Sequence, residues 1–182
     1  MNKVLPSDFS IERYGLNVRF VNEDDADFIV KLRTNPKLAR YIHSTSDSLD
    51  KQRQWIRDYK KRESEGKDYY FIYYYKGKPI GVNRIYDIHN SWATGGSWVC
   101  VPGCDPQQSI ATSMILREIM FEVLNLEEDR FDVRKGNRMV IKAHKMFGAH
   151  VIGESDIDYY FSLNKCSYLS NRQRFIEMLR LG

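Results

Sequence analysis

The sequence predicts an α/β domain of the α+β type: a mixed, mostly antiparallel sheet with helices on both faces. The predicted elements follow the order strand, helices, three strands, helix, strand, helix, two strands. That order fits neither a doubly wound Rossmann domain nor an all-β barrel. The chain has 182 residues, 42% of them hydrophobic. This is enough to bury a substantial core within one domain.

The first half of the chain begins with a strand and continues with helices. Residues 16–21 alternate apolar and polar side chains and predict the first strand. The sequence Asn-Glu-Asp-Asp at 22–25 suits the start of a helix that runs to about Arg33, and Asn35-Pro36 ends it. The next predicted elements are a short helical piece at 38–42, a polar loop at 44–47 and a long helix at 48–65.

The second half contains the strongest strand signal. Residues 69–75, YYFIYYY, lead through a turn at 76–79 into a returning antiparallel strand at 80–88. The later predicted elements are a loop at 90–96, a buried strand at 98–101, a helix at 109–124, a strand at 130–133, a helix at 137–147 stopped by Gly148, strands at 150–154 and 158–163, and a terminal helix at 171–181. We therefore expect an extension at 1–15, a domain at 16–163 and a helical tail at 164–182.

Charge and composition restrict the functions to consider. The net charge is +4, from 28 basic and 24 acidic residues, without the basic block typical of nucleic-acid binding. No apolar run approaches the roughly 18 residues that span a bilayer. Residues 1–15 lack an apolar signal core. Three cysteines are few for a secreted scaffold. We expect a cytoplasmic protein that binds neither nucleic acid nor a membrane.

Residues 98–124 place a buried strand, a loop and a helix start in succession. A helix start presents unpaired backbone N–H groups and the positive end of the helix dipole, which suits an anion. The small side chains of Ser109 and Ala111 would let a phosphate approach the backbone. An ordinary strand–loop–helix connection explains the same pattern, so both interpretations stay open. Cys100 and Cys104 have poor spacing for zinc, and Cys100 is expected to be inert and buried. We predict no metal site.

The predicted helix at 137–147 carries three stripes. Two of them are expected to face the core and the solvent respectively: Met139, Ala143, Met146 and Phe147 for the core, and Arg138, Lys142 and Lys145 for the solvent. The third stripe suggests the edge of a cleft and consists of Asn137, Val140, Ile141 and His144. A partly buried, hydrogen-bonded His is the alternative explanation of His144.

These two segments resemble the GNAT superfamily of acetyl-CoA-dependent N-acyltransferases, and the resemblance covers residues 16–163. The phosphate loop of that family has the pattern Q/R-x-x-G-x-G/A before a helix. Here Ser109 and Ala111 stand at the glycine positions and Pro106 at the Gln/Arg position. Downstream, the family pattern N-x-x-A-x-x-x-Y-x-x-x-G-F is similar to a run with its key residues at the same spacing: Asn137, Val140, His144 and Gly148, with Ala149 replacing Phe.

The resemblance implies a site for acetyl-CoA, which would be the co-substrate. The strand at 98–101 would pair with the pantetheine arm through its backbone, including that of Val99, Cys100 and Val101. The pyrophosphate would be held by backbone N–H groups of Gln107, Gln108, Ser109, Ile110, Ala111 and Thr112. Asn137 would hydrogen-bond the cofactor near its pantetheine. An N–H group of Cys100 or Val101 would stabilise the oxyanion.

The resemblance also implies direct attack of a neutral amine on the thioester. His144 occupies the position of the family's tyrosine, which protonates the departing thiolate. An imidazolium near neutral pH would be a competent general acid. The base that deprotonates the amine stays open between His89, Asp87 and a chain of waters. A surface-loop His is the alternative explanation of His89.

The acceptor is expected at the first helices and at the loop after the third strand. Those regions supply Tyr41, His43, Asp47, Gln52, Trp55, Arg84, Tyr86 and Trp92, and packing or solvation is the alternative for most of them. The segment 48–55 is similar to the branch that contains ribosomal-protein N-terminal acetyltransferases and enzymes that acetylate nucleotide-linked amino sugars for surface polysaccharides. Side chains of Tyr, Trp and Arg favour the sugar nucleotide. A protein N-terminus, a non-catalytic CoA-binding module and a homodimer through the terminal helix stay open.

Overall fold

The computed structural model describes residues 4–39, 41–42 and 46–180. The strands are β1 Ser10–Arg13, β2 Leu16–Phe20, β3 Tyr69–Tyr75, β4 Lys78–Tyr86, β5 Trp92–Cys100, β6 Glu128–Arg134, β7 His150–Glu154 and β8 Asp158–Asn164. The helices are α1 Ala26–Arg33, α2 Pro36–Ala39, α3 Leu49–Ser64, α4 Pro106–Glu118, α5 Arg138–Met146 and α6 Lys165–Leu179. Helix α4 continues as a π-helical segment, Ile119–Val123. No helix in the described ranges is long and apolar enough to cross a membrane.

The strands form one sheet in the order β1-β2-β3-β4-β5-β6-β8-β7. Every neighbouring pair is antiparallel except β5 and β6, which run parallel. The predicted mixed, mostly antiparallel sheet is therefore confirmed.

Both faces of the sheet are covered, which explains why YYFIYYY does not alternate with polar residues. Tyr69, Phe71 and Tyr73 pack into a core with α4 and α6. Tyr70 and Ile72 point to the opposite face and pack against α1 and α3. Successive side chains of a strand face opposite sides, so a strand buried on both faces is apolar or aromatic at every position.

Four element boundaries differ most from the sequence prediction. Strand β1 lies in the predicted extension and pairs with β2. Strand β5 begins at Trp92, because Gly95 and Gly96, which suggested a loop, pair with β4. Helix α4 begins at Pro106, three residues earlier than predicted. Helix α6 begins at Lys165, because the Asn164 side chain accepts a hydrogen bond from the Ser167 N–H and caps it.

Helix α5 faces the core with a different stripe from the one predicted. The Met139 side chain is 85% exposed, and Met146 is also exposed. Val140 and Ile141 pack against the core, and His144 is buried. The assignment of Met139 and Met146 to the core was wrong, because the stripe read as a cleft edge is the one that packs on the sheet. The predicted helical piece at 38–42 is α2 at 36–39, and His43 lies outside the described residues.

Candidate active site

Strands β5 and β6 separate and leave a gap in the sheet. They pair only at Trp92↔Glu128 and Ala93↔Asp129, although β5 continues to Cys100 and β6 to Arg134. At the point of separation the Gly95 N–H donates to Asp129 Oδ1 at 2.9 Å. Beyond it, the edge of β5 that faces β6 has no partner strand among the described residues. This edge can form backbone hydrogen bonds with an extended ligand.

A bulge bends β5 where it borders the gap. Cys100 and Val99 pair with Gly81 and Val82, but the register then shifts, so that Gly96 pairs with Arg84. Ser97 in the bulge has a left-handed backbone with φ 52°. Bulges turn a strand locally and re-aim its groups, and they are common next to active sites.

The backbone of Cys100 and Val101 is only partly available to a cofactor. The Val101 N–H donates to the Ile80 carbonyl at 2.8 Å, so the expectation that it stabilises an oxyanion was wrong. Since successive N–H groups of a strand point to opposite sides, that of Cys100 points into the gap. Val99 is buried against the α1 and α3 face of the sheet. Only its backbone could contact a ligand in the gap.

The start of α4 offers fewer N–H groups than predicted. Asp105 is its N-cap, and the Asp105 carboxylate accepts a hydrogen bond from the Gln107 N–H at 2.7 Å. The Ser109 N–H already bonds the Asp105 carbonyl. Because the helix begins at Pro106, the N–H groups of residues 110–112 lie within the helical ladder and not at its end. Gln107 and Gln108 are therefore the predicted residues that lie at the helix start.

The side chains of residues 110–112 pack into the core or contact Trp98 of β5, which borders the gap. Ile110 packs against the core and Ala111 is fully buried. The Thr112 hydroxyl donates to the Ser109 carbonyl at 2.7 Å and accepts from Trp98 Nε1 at 2.9 Å. These contacts fix Trp98 beside the bulge. The prediction that residues 109–112 bind phosphate through their N–H groups was wrong, because these N–H groups bond carbonyls of the preceding turn.

Asn137 is the N-cap of α5, yet its side chain makes no capping hydrogen bond. Within the described residues its amide has no hydrogen-bond partner at all. The amide can therefore serve a ligand, as the resemblance implies. Tyr41 lies nearby, because a Cβ built on Gly136 would meet Tyr41 Cε1 at 3.6 Å.

His144 is buried at the gap and is uncharged. Its ring centroid lies 5.6 Å from that of Trp98 on β5 and 4.5 Å from that of Phe131 on β6. Arg117 Nη2 lies 3.2 Å from His144 Nδ1. Burial, and then the Arg117 charge, lower the pKa of His144 well below its ordinary value. The expected imidazolium at neutral pH was wrong, and the alternative of a buried, hydrogen-bonded His describes this ring.

A buried ion pair connects His144 to the point where the strands separate. Arg117 Nη2 lies 3.2 Å from Asp129 Oδ2, and both side chains are buried. Burial raises the pKa of Asp129 to about 6, and the Arg117 charge opposes that shift. This pair could not be predicted from the sequence, because only the folded chain brings Arg117 of α4 next to Asp129 of β6.

A cavity of about 320 Å³ lies on the α1 and α3 side of the sheet and reaches the bulge. Its lining comes from five elements and the segment before α3: Arg33, Ser46, Lys51, Gln52, Trp55, Tyr70, Arg84 and Ser97. Three of these side chains are cationic and none is acidic. Among the described residues, Lys51 forms no ion pair and the Gln52 amide no hydrogen bond. Three residues of the predicted acceptor region line this cavity, Gln52, Trp55 and Arg84; Arg33, Lys51, Tyr70 and Ser97 also line it and were not singled out from the sequence.

Arg84 and Trp55 form the rigid wall of this cavity. Arg84 makes two hydrogen bonds to buried Asp68, one of them from Nε to Oδ1 at 2.7 Å. Its guanidinium lies 5.0 Å from the Trp55 ring centroid and 4.8 Å from that of Tyr86. Burial raises the pKa of Tyr70, and the charges of Arg33 and Arg84 act in the opposite direction. Both arginines therefore face the same tyrosine.

Two predicted residues lie away from the cavity. His89 stacks on Trp92 with ring centroids 3.9 Å apart, and its N–H donates to the Trp92 carbonyl. Trp92 precedes Ser97 by five positions, and a strand rises about 3.3 Å per residue, so about 16 Å separates them. The structure does not bring His89 or Trp92 to the reacting groups.

Asp132 on β6 is an acidic residue beside the cavity that sequence reasoning missed. Counting from Ala93↔Asp129 places it level with Gly96 across the gap. Its neighbours Phe131 and Val133 are buried on the α4 side, so the exposed Asp132 faces the cavity side. Tyr86 covers Gly96, since a Cβ built there would lie 2.9 Å from its ring. After burial, Asp132 is the strongest cause of the raised pKa of Tyr86.

Cys100 and Cys104 lie near the start of α4, and their hydrogen bonding changes the pKa of the Cys100 thiol. A hydrogen bond from Cys104 lowers the pKa of Cys100 to about 7, against the effect of burial. Cys100 is half-buried, whereas the sequence predicted a buried residue. The described residues contain no group of three or more His, Cys, Asp or Glu side chains that could hold a metal ion.

Comparison with known proteins identifies the family. The profile of the acetyltransferase (GNAT) domain matches residues 16–150. FdhC, a nucleotide-linked sugar GNAT solved in its apo form, is 34% identical with a TM-score of 0.84, over 94% of this chain and 99% of that chain. No curated protein sequence matches the chain.

Two more distant structures share the fold. The ribosomal-protein-S5-alanine acetyltransferase from Vibrio fischeri is 16% identical, with a TM-score of 0.71 over 86% of this chain and 97% of that chain. The spermidine N-acetyltransferase from Vibrio cholerae, solved with CoA and spermine, is 17% identical, with a TM-score of 0.73 over 85% of this chain and 98% of that chain. GNAT enzymes use acetyl-CoA and an amine. With its profile match, its divided sheet and its similarity to FdhC, the chain belongs to the GNAT family of N-acetyltransferases.

Proposed function

We propose that this enzyme transfers an acetyl group from acetyl-CoA to the primary amine of a nucleotide-linked amino sugar. The observation that carries the proposal is the cavity beside the bulge, which is lined by Arg33, Lys51 and Arg84 and by no described acidic residue. The similarity to FdhC, a nucleotide-linked sugar GNAT, supports the same acceptor class.

The charge of the cavity discriminates between acceptors. Two unit charges 4 Å apart interact by about 4 kcal/mol at an effective dielectric of about 20. A polyamine, or a protonated N-terminus, would meet repulsion from the charges of Arg33 and Lys51, whereas the Arg84 charge is compensated by Asp68. A sugar nucleotide carries a diphosphate that Arg33 and Lys51 can bind while its amine extends to Ser97. Arginine and lysine are the side chains that bind phosphate.

The residues around the gap fit acetyl-CoA. The N–H of Cys100, the amide of Asn137 and the N–H of Gln108 are available as donors for the pantetheine and the pyrophosphate. The bound thioester supplies an activated acetyl carbon. The protein holds it at the bulge, beside the wall formed by Trp55 and Arg84, so that the amine and the carbonyl carbon are brought together.

Asp132 is the carboxylate positioned to accept the proton of the incoming ammonium. It lies across the gap from Gly96, on the same side of the sheet as the cavity. Removal of that proton produces the neutral amine that attacks the carbonyl carbon. Asp132 replaces the predicted His89 in this role, because His89 stacks on Trp92 at the far end of β5.

A thiol-release assay tests the proposal. The enzyme is given acetyl-CoA with a nucleotide-diphosphate amino sugar, with spermidine or with a peptide beginning with alanine. We expect turnover with the sugar nucleotide and an increase in its KM of about tenfold or more in Lys51→Ala, because one phosphate contact of 1.5–3 kcal/mol is lost. Lys61→Ala, on the same helix but outside the cavity, is the matched control. Preference for spermidine or the peptide would overturn the proposal.

A further inference from the structure

We propose that Arg117 is a positioning residue that holds His144 as its neutral Nε2–H tautomer, so that His144 offers the gap a hydrogen-bond donor and not a transferable proton. The catalytic part of this inference rests on the proposed acetyl transfer. The tautomer itself follows from the geometry of the described side chains.

The tautomer is fixed by the chemistry of arginine. A guanidinium carries five N–H donors and no acceptor. Arg117 Nη2 lies 3.2 Å from His144 Nδ1, so Nδ1 must accept the hydrogen bond and the ring proton must be on Nε2. A protonated ring would direct an Nδ1–H group at the guanidinium and place two positive charges together in a buried site.

Arg117 is itself held from three elements. Its Nη2 lies 3.2 Å from the Asp129 carboxylate on β6, and its Nη1 donates to the Ser113 hydroxyl one turn earlier in α4. The rings of Phe131 and Phe147 lie 5.3 and 5.2 Å from its central carbon. The guanidinium therefore has little freedom to turn, and the orientation of the His144 ring is fixed with it.

The donor that remains on His144 is available to a ligand. Because Nδ1 faces Arg117, Nε2 points to the other side of the ring, which lies between Trp98 of β5 and Phe131 of β6. Within the described part of the chain, no group accepts a hydrogen bond from Nε2. A bound sulfur or carbonyl group in the gap would satisfy this donor.

This arrangement changes the assignment of the transferred proton. In acetyl transfer the C–S bond breaks, the C–N bond forms, the nitrogen loses a proton and the sulfur gains one. A neutral His144 supplies no proton but stabilises negative charge on sulfur through its N–H group. The proton that the sulfur gains originates from the amine, through Asp132 and water.

The titratable groups that face His144 are few. Arg117 of α4 contacts it directly, and Asp129 of β6 acts through Arg117. The remaining neighbours are the rings of Trp98, Phe131 and Phe161, which do not titrate in the working range. Variants of Arg117 and Asp129 therefore show whether a pH effect originates from His144 or from these two neighbours.

Long-range ¹H–¹⁵N NMR of the wild-type enzyme tests the tautomer without any acceptor. We expect the Nε2–H pattern for His144 from pH 6 to 8. A doubly protonated or Nδ1–H pattern in that range would overturn the inference, whatever amine the enzyme uses. If the pattern holds but no sugar nucleotide is acetylated, the proposed acceptor fails and the tautomer stands.

Kinetics test the positioning role. Arg117→Lys keeps the charge but loses the planar fork, and we expect its kcat to fall about tenfold to a hundredfold with KM for acetyl-CoA nearly unchanged. Arg117→Met should fall further. Arg172→Lys, whose partners are Glu118 and Glu122, is the control and should keep wild-type kcat. The role is refuted if Arg117→Lys retains wild-type kcat, or if wild-type kcat falls above pH 6.5 in the manner of a titrating imidazolium. If Arg117→Met does not fold, the wild-type NMR pattern and the kcat of Arg117→Lys still test the proposal.

Discussion

The buried neutral His144 should make the stability of the enzyme depend on pH in a way that His144→Phe removes. Phe retains the aromatic contacts with Phe131 and Phe161 but cannot take up a proton. Burial and the neighbouring Arg117 lower the pKa of His144 in the folded protein, whereas the unfolded chain has the ordinary value. The unfolded state therefore binds the proton more readily.

The sign and size of the effect follow from this difference. A His with a lowered folded pKa contributes stability above its unfolded pKa of about 6.5, and this stability is lost as the pH falls below that value. The loss approaches about 1.4 kcal/mol per pH unit, so wild type should lose about 1.4 kcal/mol between pH 7.5 and 5.5 through this residue. The pKa of Asp129 is raised to about 6, so Asp129 acts in the opposite direction. It is present in both proteins, and their comparison isolates His144.

Urea unfolding of both proteins at pH 7.5, 6.5 and 5.5 measures this effect. At a slope of about 2 kcal/mol per molar urea, the wild-type midpoint should fall by about 0.7 M more than that of His144→Phe. The remaining ionisable side chains are the same in both proteins, so their contributions to the comparison cancel. Parallel pH dependences would refute the neutral buried imidazole and, with it, the pairing of Nδ1 with Arg117.

Three further changes test other parts of the structure. Gly95→Ala would place a Cβ 2.8 Å from Asp129 Oδ1, so we expect a loss of about 1–3 kcal/mol in urea unfolding, whereas Gly153→Ala meets Tyr160 at an ordinary 3.4 Å and should cost less. Tyr168→Phe removes a hydrogen bond to the Met114 carbonyl and should lower the free energy of unfolding by about 1 kcal/mol; an unchanged Tm would show that this hydrogen bond does not stabilise the fold. Asp132→Asn should reduce kcat about 10²–10⁴-fold with unchanged acetyl-CoA affinity, partly restored at high pH, and a kcat within twofold of wild type would exclude it as the base.

The sequence predicted the fold well where the signal was local. YYFIYYY and its turn predicted a hairpin that the structure contains as β3 and β4. Prediction failed at β5, because Gly95 and Gly96 suggest a loop when read alone. Their pairing with β4 and the close approach of Asp129 to Gly95 exist only in the folded sheet. The end of α4 nearest the site was misplaced because Asp105 and Pro106 are also typical of a loop.

The sequence predicted which segments form the site but not which of its side chains carry a charge. Asn137 and His144 were singled out because their spacing matches a family pattern; the structure places His144 between Trp98 and Phe131 and leaves the Asn137 side chain without a capping hydrogen bond. The partner that determines the charge of His144 is Arg117, which lies 27 positions earlier on another helix. No local pattern reveals such a pair, so the imidazolium expected from the side chain's ordinary pKa was wrong.

The distribution of unpaired cations also explains why a net charge of only +4 is consistent with acetyl-CoA and the proposed anionic acceptor. Arg134 and Lys135, beside α5, are paired with Asp158 and Glu154. Arg138, Lys142 and Lys145 line one flank of α5 at i, i+4 and i+7, and in the described residues they form no ion pair. Such like charges repel by a few tenths of a kcal/mol per pair, and an anion nearby removes that cost. Together with Lys51 in the cavity, these side chains are cations that form no ion pair with the described residues. The sum over the chain is small because most of its other charges neutralise one another, while a local cluster of unpaired cations leaves a positive field that attracts phosphate groups.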